Sequence, residues 1–160
     1  MRISELLHTQ VVLPAVVAGS KDDVLELLAG RLAGAYPEID RGELTAALQE
    51  RERHMTTALA DGVAIPHARL QGLHRMVAAF ARSAAGIDCG SHDGKPTHFF
   101  LLLVVPEESP GTHLKVLATA SRLLHDPRCR ARLLQAPDED TLLDALRTEE
   151  DRTRGAARAA

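Results

Sequence analysis

Apolar residues along the chain fall into two spacings, helical at both ends and continuous in the middle. Val11-Val12-Leu13, closed by Pro14, predicts a short strand, because proline cannot extend a ladder of backbone hydrogen bonds. From Ser20 onward, Val24, Leu25, Leu27, Leu28 and Leu32 recur at helical spacing and predict a helix to about Ala35. Ser20 has the chemistry of an N-cap, and Asp22 and Asp23 occupy the first turn, where carboxylates suit the helix dipole. A second helix begins at Asp40, with Glu43 three residues later in a near capping-box arrangement. Leu44, Ala47 and Leu48 form its apolar stripe, and Arg51 falls near its C-terminal end.

The middle of the chain changes period. Val63-Ala64-Ile65, between Asp61-Gly62 and Pro66, predicts a short strand, and Met76 to Ala81 predicts another. His98 to Val105 is almost wholly apolar and ends at Pro106, the pattern of a strand buried on both faces. Asp93-Gly94-Lys95-Pro96 ahead of it is a turn signal. The last third returns to helices. Thr112 to His125 carries Leu114, Leu117, Ala118, Ser121 and Leu124 at helical spacing. Asp126 and Pro127 read as the N-cap and first residue of another helix. Pro137 and Asp138-Glu139-Asp140 open a final helix reaching about Thr148. Residues 149–160 contain no apolar side chain larger than Ala and are expected to be a disordered tail. The whole predicts one α/β domain over residues 1–148: a mixed parallel and antiparallel sheet of about five strands, flanked by helices on both faces.

Composition narrows the function. The 160 residues carry a net charge of −3, so no overall basic field exists for nucleic acid or an anionic membrane. Aromatic residues are 2%, which predicts an aliphatic core and few stacking platforms for bases. The longest apolar run falls far short of the roughly 20 residues of a membrane helix, and the N-terminus shows no signal-peptide core. Cys89 and Cys129 form no zinc or disulfide pattern and are expected to be reduced thiols in a cytoplasmic protein. No Gly-rich Walker loop or kinase signature is present, so a phosphoryl group handled here would arrive already activated.

Eight histidines stand against four aromatic residues. None of them has the spacing of a metal motif, and no metal or cofactor is expected. His8, His54, His74, His92 and His125 fall in predicted helix ends or loops and read as surface; His98 opens the buried strand. His67 is different. It follows a short strand and Pro66, at the carboxyl end of a strand, where α/β sheets meet their ligands, and Pro66 stiffens the turn. His113 also follows a buried strand and stands at a helix start, where free backbone N–H groups favour an anion. Arg51 offers a guanidinium for phosphate oxygens, although from the residues alone a helix C-terminal cation is the first reading of it.

The stretch from Arg51-Glu52 through Thr56-Thr57 to Asp61-Gly62-Val63-Ala64-Ile65-Pro66-His67 resembles the active-site segment of the fructose/mannitol-type IIA domain of the bacterial phosphoenolpyruvate-dependent phosphotransferase system. Ser20-Lys21, Gly86-Ile87, Asp93-Gly94-Lys95-Pro96, Leu101 to Pro106, Thr112-His113-Leu114 and Leu117-Ala118 continue the likeness over about residues 1–148. The resemblance implies that His67 accepts a phosphoryl group from a phosphohistidine on a small carrier protein of the HPr or NPr kind. It implies that His113 hydrogen-bonds the phosphoryl oxygens and that Arg51 neutralises their charge. A free-standing IIA domain resembles the nitrogen-regulatory branch, whose phosphorylation state controls partner proteins in nitrogen, potassium or carbon metabolism.

Ala58, Ala60 and Ala68 stand where the family usually has glycine. They leave open either a stiffer phosphate loop or ordinary φ angles at these positions. Three other readings stand beside the regulatory one: a sugar-specific IIA subunit passing the phosphoryl group to a IIB cysteine, an interaction module with a dead site, and a metal-dependent hydrolase. The last is disfavoured by the absence of carboxylates at metal spacing near His67.

Overall fold

A computed structural model describes residues 1–109 and 111–160; Pro110, in the loop read as preceding His113, lies outside the described residues. Among the described residues five strands and five α-helices run in the order β1 (Val12–Leu13), α1 (Lys21–Ala35), α2 (Arg41–His54), β2 (Val63–Ala64), β3 (His67–Leu70), β4 (Val77–Ile87), β5 (Thr97–Pro106), α3 (Thr112–His125), α4 (Pro127–Gln135) and α5 (Glu139–Ala159). The caps read from the sequence form as expected. Ser20 accepts a hydrogen bond from the Asp23 N–H and Asp40 one from the Glu43 N–H. Asp126 accepts from the Arg128 and Cys129 N–H groups, with Pro127 at the first helical position.

The sheet order is β1-β4-β5-β2, with β3 also paired to β5. β4 and β5 are antiparallel, and the other pairings are parallel, so the expected mixed sheet is present. α1 and α2 pack on each other and against β4 and β3, while α3, α4 and α5 pack together and reach β5, β4 and β1. β5 is consequently buried at every position except its two half-buried residues His98 and Pro106. The core is largely aliphatic, yet all three phenylalanines are in it: Phe80, Phe99 and Phe100 are fully buried, and Phe80 and Phe99 stack at 6.4 Å.

Three elements differ from the sequence expectation. Residues 67–70 form a strand that the periodicity did not mark, since four residues are too few to show a period. β4 runs on to Ile87, past Ala81, with an irregularity in its pairing between Arg82 and Ile87. The last helix continues through the segment read as a disordered tail, to Ala159. The physical reason is charge pairing that no hydrophobic pattern reveals. Buried Glu150 accepts hydrogen bonds from the Ile3 and Ser4 backbone and the Ser4 hydroxyl. Buried Glu149 pairs with Arg128, Arg132 and Arg152, and the Ala- and Arg-rich end has high helix propensity.

Candidate functional site

β2 and β3 are two halves of one edge strand along β5. Val63 and Ala64 pair with Phe99 and Phe100, and His67 to Leu70 pair with Leu103 to Pro106. Ile65 and Pro66 interrupt it, at a sheet edge, where a missing N–H is tolerated. The Leu103 N–H donates to the Pro66 carbonyl at 3.0 Å, so the strand resumes at once with His67. His67 therefore opens a strand instead of sitting in a turn, as the sequence reading had it.

The imidazole of His67 is half-buried, and its Nδ1 lies 3.0 Å from the Ile65 carbonyl oxygen. A carbonyl only accepts, so Nδ1 carries the proton and Nε2 carries the lone pair. Burial pulls the His67 pKa below its ordinary value of 6.5; the hydrogen bond to Ile65 opposes this, and the nearby Arg51 and His113 charges reinforce it.

Arg51, His67, Arg69 and His113 line one cleft of about 410 Å³ together with Glu50 and His54, with Leu103, Val105 and Leu117 among its apolar walls. Arg51 comes from the last turn of α2, and its Nη1 donates to the Met55 carbonyl at 2.8 Å. Its two readings are thus compatible: the guanidinium closes the helix end and lines the cleft. His113 is the second residue of α3, whose N-cap Gly111 provides no side-chain bond to the free N–H groups. Its Nδ1 is buried and, among the described residues, has no hydrogen-bond partner. The structure thus brings all three sequence-predicted residues to one cleft.

Arg69 is the residue that the sequence reading missed. Its Nη2 stands 3.5 Å from His113 Nε2, and its Nη1 donates to the Glu107 carbonyl at 3.3 Å. It lies two residues beyond His67 on β3, hence on the same face of the strand. That signal exists in the sequence only once residues 67–70 are known to be a strand.

Three of the histidines read as surface have structural contacts, and one of them, His54, lines the cleft, with its Nε2 3.3 Å from Glu50 Oε1. His8 Nε2 meets the Tyr36 hydroxyl at 3.2 Å, and His125 places its ring nitrogens 2.7 Å from the Ser121 carbonyl and 3.1 Å from that of Ala60. His98, through Nδ1, is tied to the Ser83 carbonyl at 2.9 Å. Asp61, at φ 63°, is the sole non-glycine with positive φ among the described residues. Ala58, Ala60 and Ala68 therefore hold ordinary backbone angles, and replacing glycine there imposes no strain. Both cysteines are buried and free. No helix among the described residues is long and apolar enough to cross a membrane, and among the same residues no group of three or more His, Cys, Asp or Glu could hold a metal ion.

Fold and cleft together define an α/β domain with a strand-borne histidine in a cationic cleft. The chain belongs to the family of phosphoenolpyruvate-dependent sugar phosphotransferase system EIIA 2 domains, whose model matches residues 5–149. It is 36% identical over 146 residues to a nitrogen regulatory protein of Bradyrhizobium diazoefficiens, covering 91% of this chain and 95% of that one. It is 32% identical over 146 residues to the fructose-specific EIIABC component of Bacillus subtilis, covering 91% of this chain but 23% of that protein. Among solved structures, the nitrogen regulatory protein IIA-Ntr from Neisseria meningitidis superposes with a TM-score of 0.83 at 28% identity, over 90% of this chain and 98% of that one.

Proposed function

We propose that this chain accepts a phosphoryl group on Nε2 of His67 from a phosphohistidine of a small carrier protein, and that its phosphorylation state regulates partner proteins. The observation that carries the reading is the hydrogen bond from His67 Nδ1 to the Ile65 carbonyl. It leaves the Nε2 lone pair in a cleft that also holds Arg51, Arg69 and His113.

In this reaction the Nε2 lone pair attacks phosphorus as the carrier's N–P bond breaks, and the carrier's imidazole nitrogen leaves with the electron pair. The Nδ1 proton stays where it is, bonded to the Ile65 carbonyl. The ring becomes a phosphoimidazolium, and its phosphoryl oxygens meet Arg51, Arg69 and His113. Such a transition state needs little covalent help and is governed by positioning and charge. Burial lowers the His67 pKa, which favours the neutral imidazole that is able to attack.

The regulatory reading draws on the likeness to nitrogen regulatory proteins. The likeness to a fructose-specific component supports a second reading, in which the group passes onward to a IIB cysteine. The test is incubation with phosphoenolpyruvate, the first enzyme of the system and the carrier protein, followed by intact mass. A gain of one phosphoryl group that is lost in His67→Ala is expected; no gain, under conditions that label a known IIA domain, refutes both readings. Capture of partners by the phosphorylated and unphosphorylated forms then separates a regulatory target from a IIB domain.

A further inference from the structure

We propose that Glu52 is a positioning residue for the nucleophile, setting the His67 tautomer through a chain of hydrogen bonds that begins outside the cleft. The proposal rests on the reading of His67 as phosphoryl acceptor. Glu52 stands in the last turn of α2, beside Arg51, yet does not line the cleft. Its carboxylate is 6% exposed and is paired with the Lys21 ammonium of α1 at 2.9 Å. A buried carboxylate persists only when its oxygens are filled, and here the loop after α2 fills them. The Thr57 N–H donates to the two oxygens at 3.0 and 3.2 Å, and the Thr57 hydroxyl donates as well.

Thr57 passes the constraint on. Its carbonyl accepts the Ile65 N–H at 3.1 Å, and the Ile65 carbonyl accepts the His67 Nδ1 proton at 3.0 Å. The Pro66 carbonyl beyond is held by the Leu103 N–H at 3.0 Å. The Ile65 carbonyl thus lies between two anchors, one in the sheet and one leading through Thr57 to Glu52. Which ring nitrogen carries the proton is decided by the bond the ring makes. Loosening the Glu52 anchor lets the Ile65 carbonyl turn, and a fraction of His67 then carries its proton on Nε2 and cannot attack. Small losses of alignment at a nucleophile are costly in rate.

Charge does not offer an alternative route to the same result. The negative charge of Glu52 raises the His67 pKa, against the larger lowering by burial. Its removal favours the neutral imidazole further, so a slower Glu52 variant at neutral pH is not one whose nucleophile has been protonated.

The test reads the tautomer and the transfer separately on the full chain. Long-range proton–nitrogen correlation spectra of the unphosphorylated, nitrogen-labelled protein at pH 7.5 report which His67 nitrogen bears the proton. We expect Nδ1–H in the wild type and a mixture in Glu52→Ala, with Glu52→Gln between them because its amide oxygen still accepts from Thr57. We expect kcat for phosphoryl acceptance to fall about tenfold in Glu52→Ala and about threefold in Glu52→Gln, with KM for the phosphorylated carrier within about twofold. A wild type with Nε2–H, or a Glu52→Ala protein with the wild-type tautomer and kcat, overturns the proposal. If Glu52→Ala does not fold, Glu52→Gln decides: wild-type tautomer and kcat in that variant refute it. The spectra need no phosphorylation, so failure of His67 to accept a phosphoryl group is told apart from failure of the relay.

Discussion

Replacing Arg69 by alanine tests the site where the sequence was silent. The guanidinium is tethered by one carbonyl at 3.3 Å and one imidazole nitrogen at 3.5 Å, both long for hydrogen bonds to a cation. Turning it onto a phosphoryl dianion on the neighbouring imidazole therefore gives up little. A hydrogen bond to a charged group contributes about 1.5–3 kcal/mol. Arg69 is exposed, so solvent screening places it near the lower end, about 1.5 kcal/mol. At about 1.4 kcal/mol per decade, Arg69→Ala should lower kcat/KM for phosphoryl acceptance about tenfold. Arg69→Lys keeps the charge without the planar fork and should lose about threefold. Because the side chain is on the surface, the midpoint of thermal unfolding should move by no more than about 1 °C. The assay is the time course of intact mass after mixing with phosphorylated carrier, with Arg51→Ala alongside as a reference. A kcat/KM for Arg69→Ala within twofold of wild type, while Arg51→Ala loses tenfold or more, would remove Arg69 from the reaction.

The His67 ring should titrate below its ordinary value of 6.5, because burial, foremost, lowers its pKa; an imidazole proton resonance with a midpoint at or above 6.5 contradicts this. Its folded pKa lies below the unfolded one, so its share of stability is full above 6.5 and is lost as pH falls through the lowered folded value. His67→Ala should accordingly shrink the acid-side loss of stability seen in urea titrations. Arg82 on β4 is 7% exposed and donates to the carbonyls of Pro14 and Leu133 at 2.8 and 2.7 Å, and to that of Ala136. Arg82→Met leaves these three acceptors without their donor and should cost about 3 kcal/mol, read as an unfolding midpoint about 10 °C lower; a shift under 2 °C would show the carbonyls finding water instead. Burial drives the thiol pKa of Cys129 up to about 12 and also raises that of Cys89. Neither should react with a disulfide reagent at pH 8 until urea unfolds the chain, and one rapid equivalent in native buffer would refute this.

The helices and the long strands were legible because each carries a local signal: Ser20 and Asp40 as caps, Asp126-Pro127 as a start, and the apolar run into β5. β3 was not, and with it went the face that His67 shares with Arg69. Its four residues alternate half-buried, buried, exposed, buried, and are strand only because β5 lies beside them. The end of α5 was illegible for a different reason. Glu149 and Glu150 look like surface residues in the sequence and are buried because their partners lie far off, at Arg128 and Arg132 and at Ile3 and Ser4. Glu52 stands beside Arg51 in the motif, but its partners, the Lys21 ammonium of another helix and Thr57 of the following loop, come together only in the fold. Whether alanine fits at 58, 60 and 68 is decided by backbone angles that the sequence does not carry, and the non-glycine with positive φ among the described residues is Asp61 instead.

On the proposed reading of His67 as phosphoryl acceptor, the guanidinium groups around it serve two purposes that a single arrangement satisfies. A nucleophilic imidazole must stay neutral, and the Arg51 charge helps burial to lower its pKa. A phosphoryl acceptor must also stabilise a dianion, and the same groups that repel a proton from Nε2 attract phosphoryl oxygens to it. The two demands would conflict if a carboxylate held the ring, because its charge would raise the pKa and repel the incoming group. Here the ring is held by a neutral carbonyl of Ile65, and the nearby carboxylate, Glu52, is spent on Lys21 and Thr57 two hydrogen bonds further back. Orientation is thereby supplied without negative charge at the reacting atom. This separation gives a physical reason for the order of residues here: Arg51 faces the cleft, Glu52 beside it faces away, and a proline-broken edge strand connects the second to the nucleophile that the first attends.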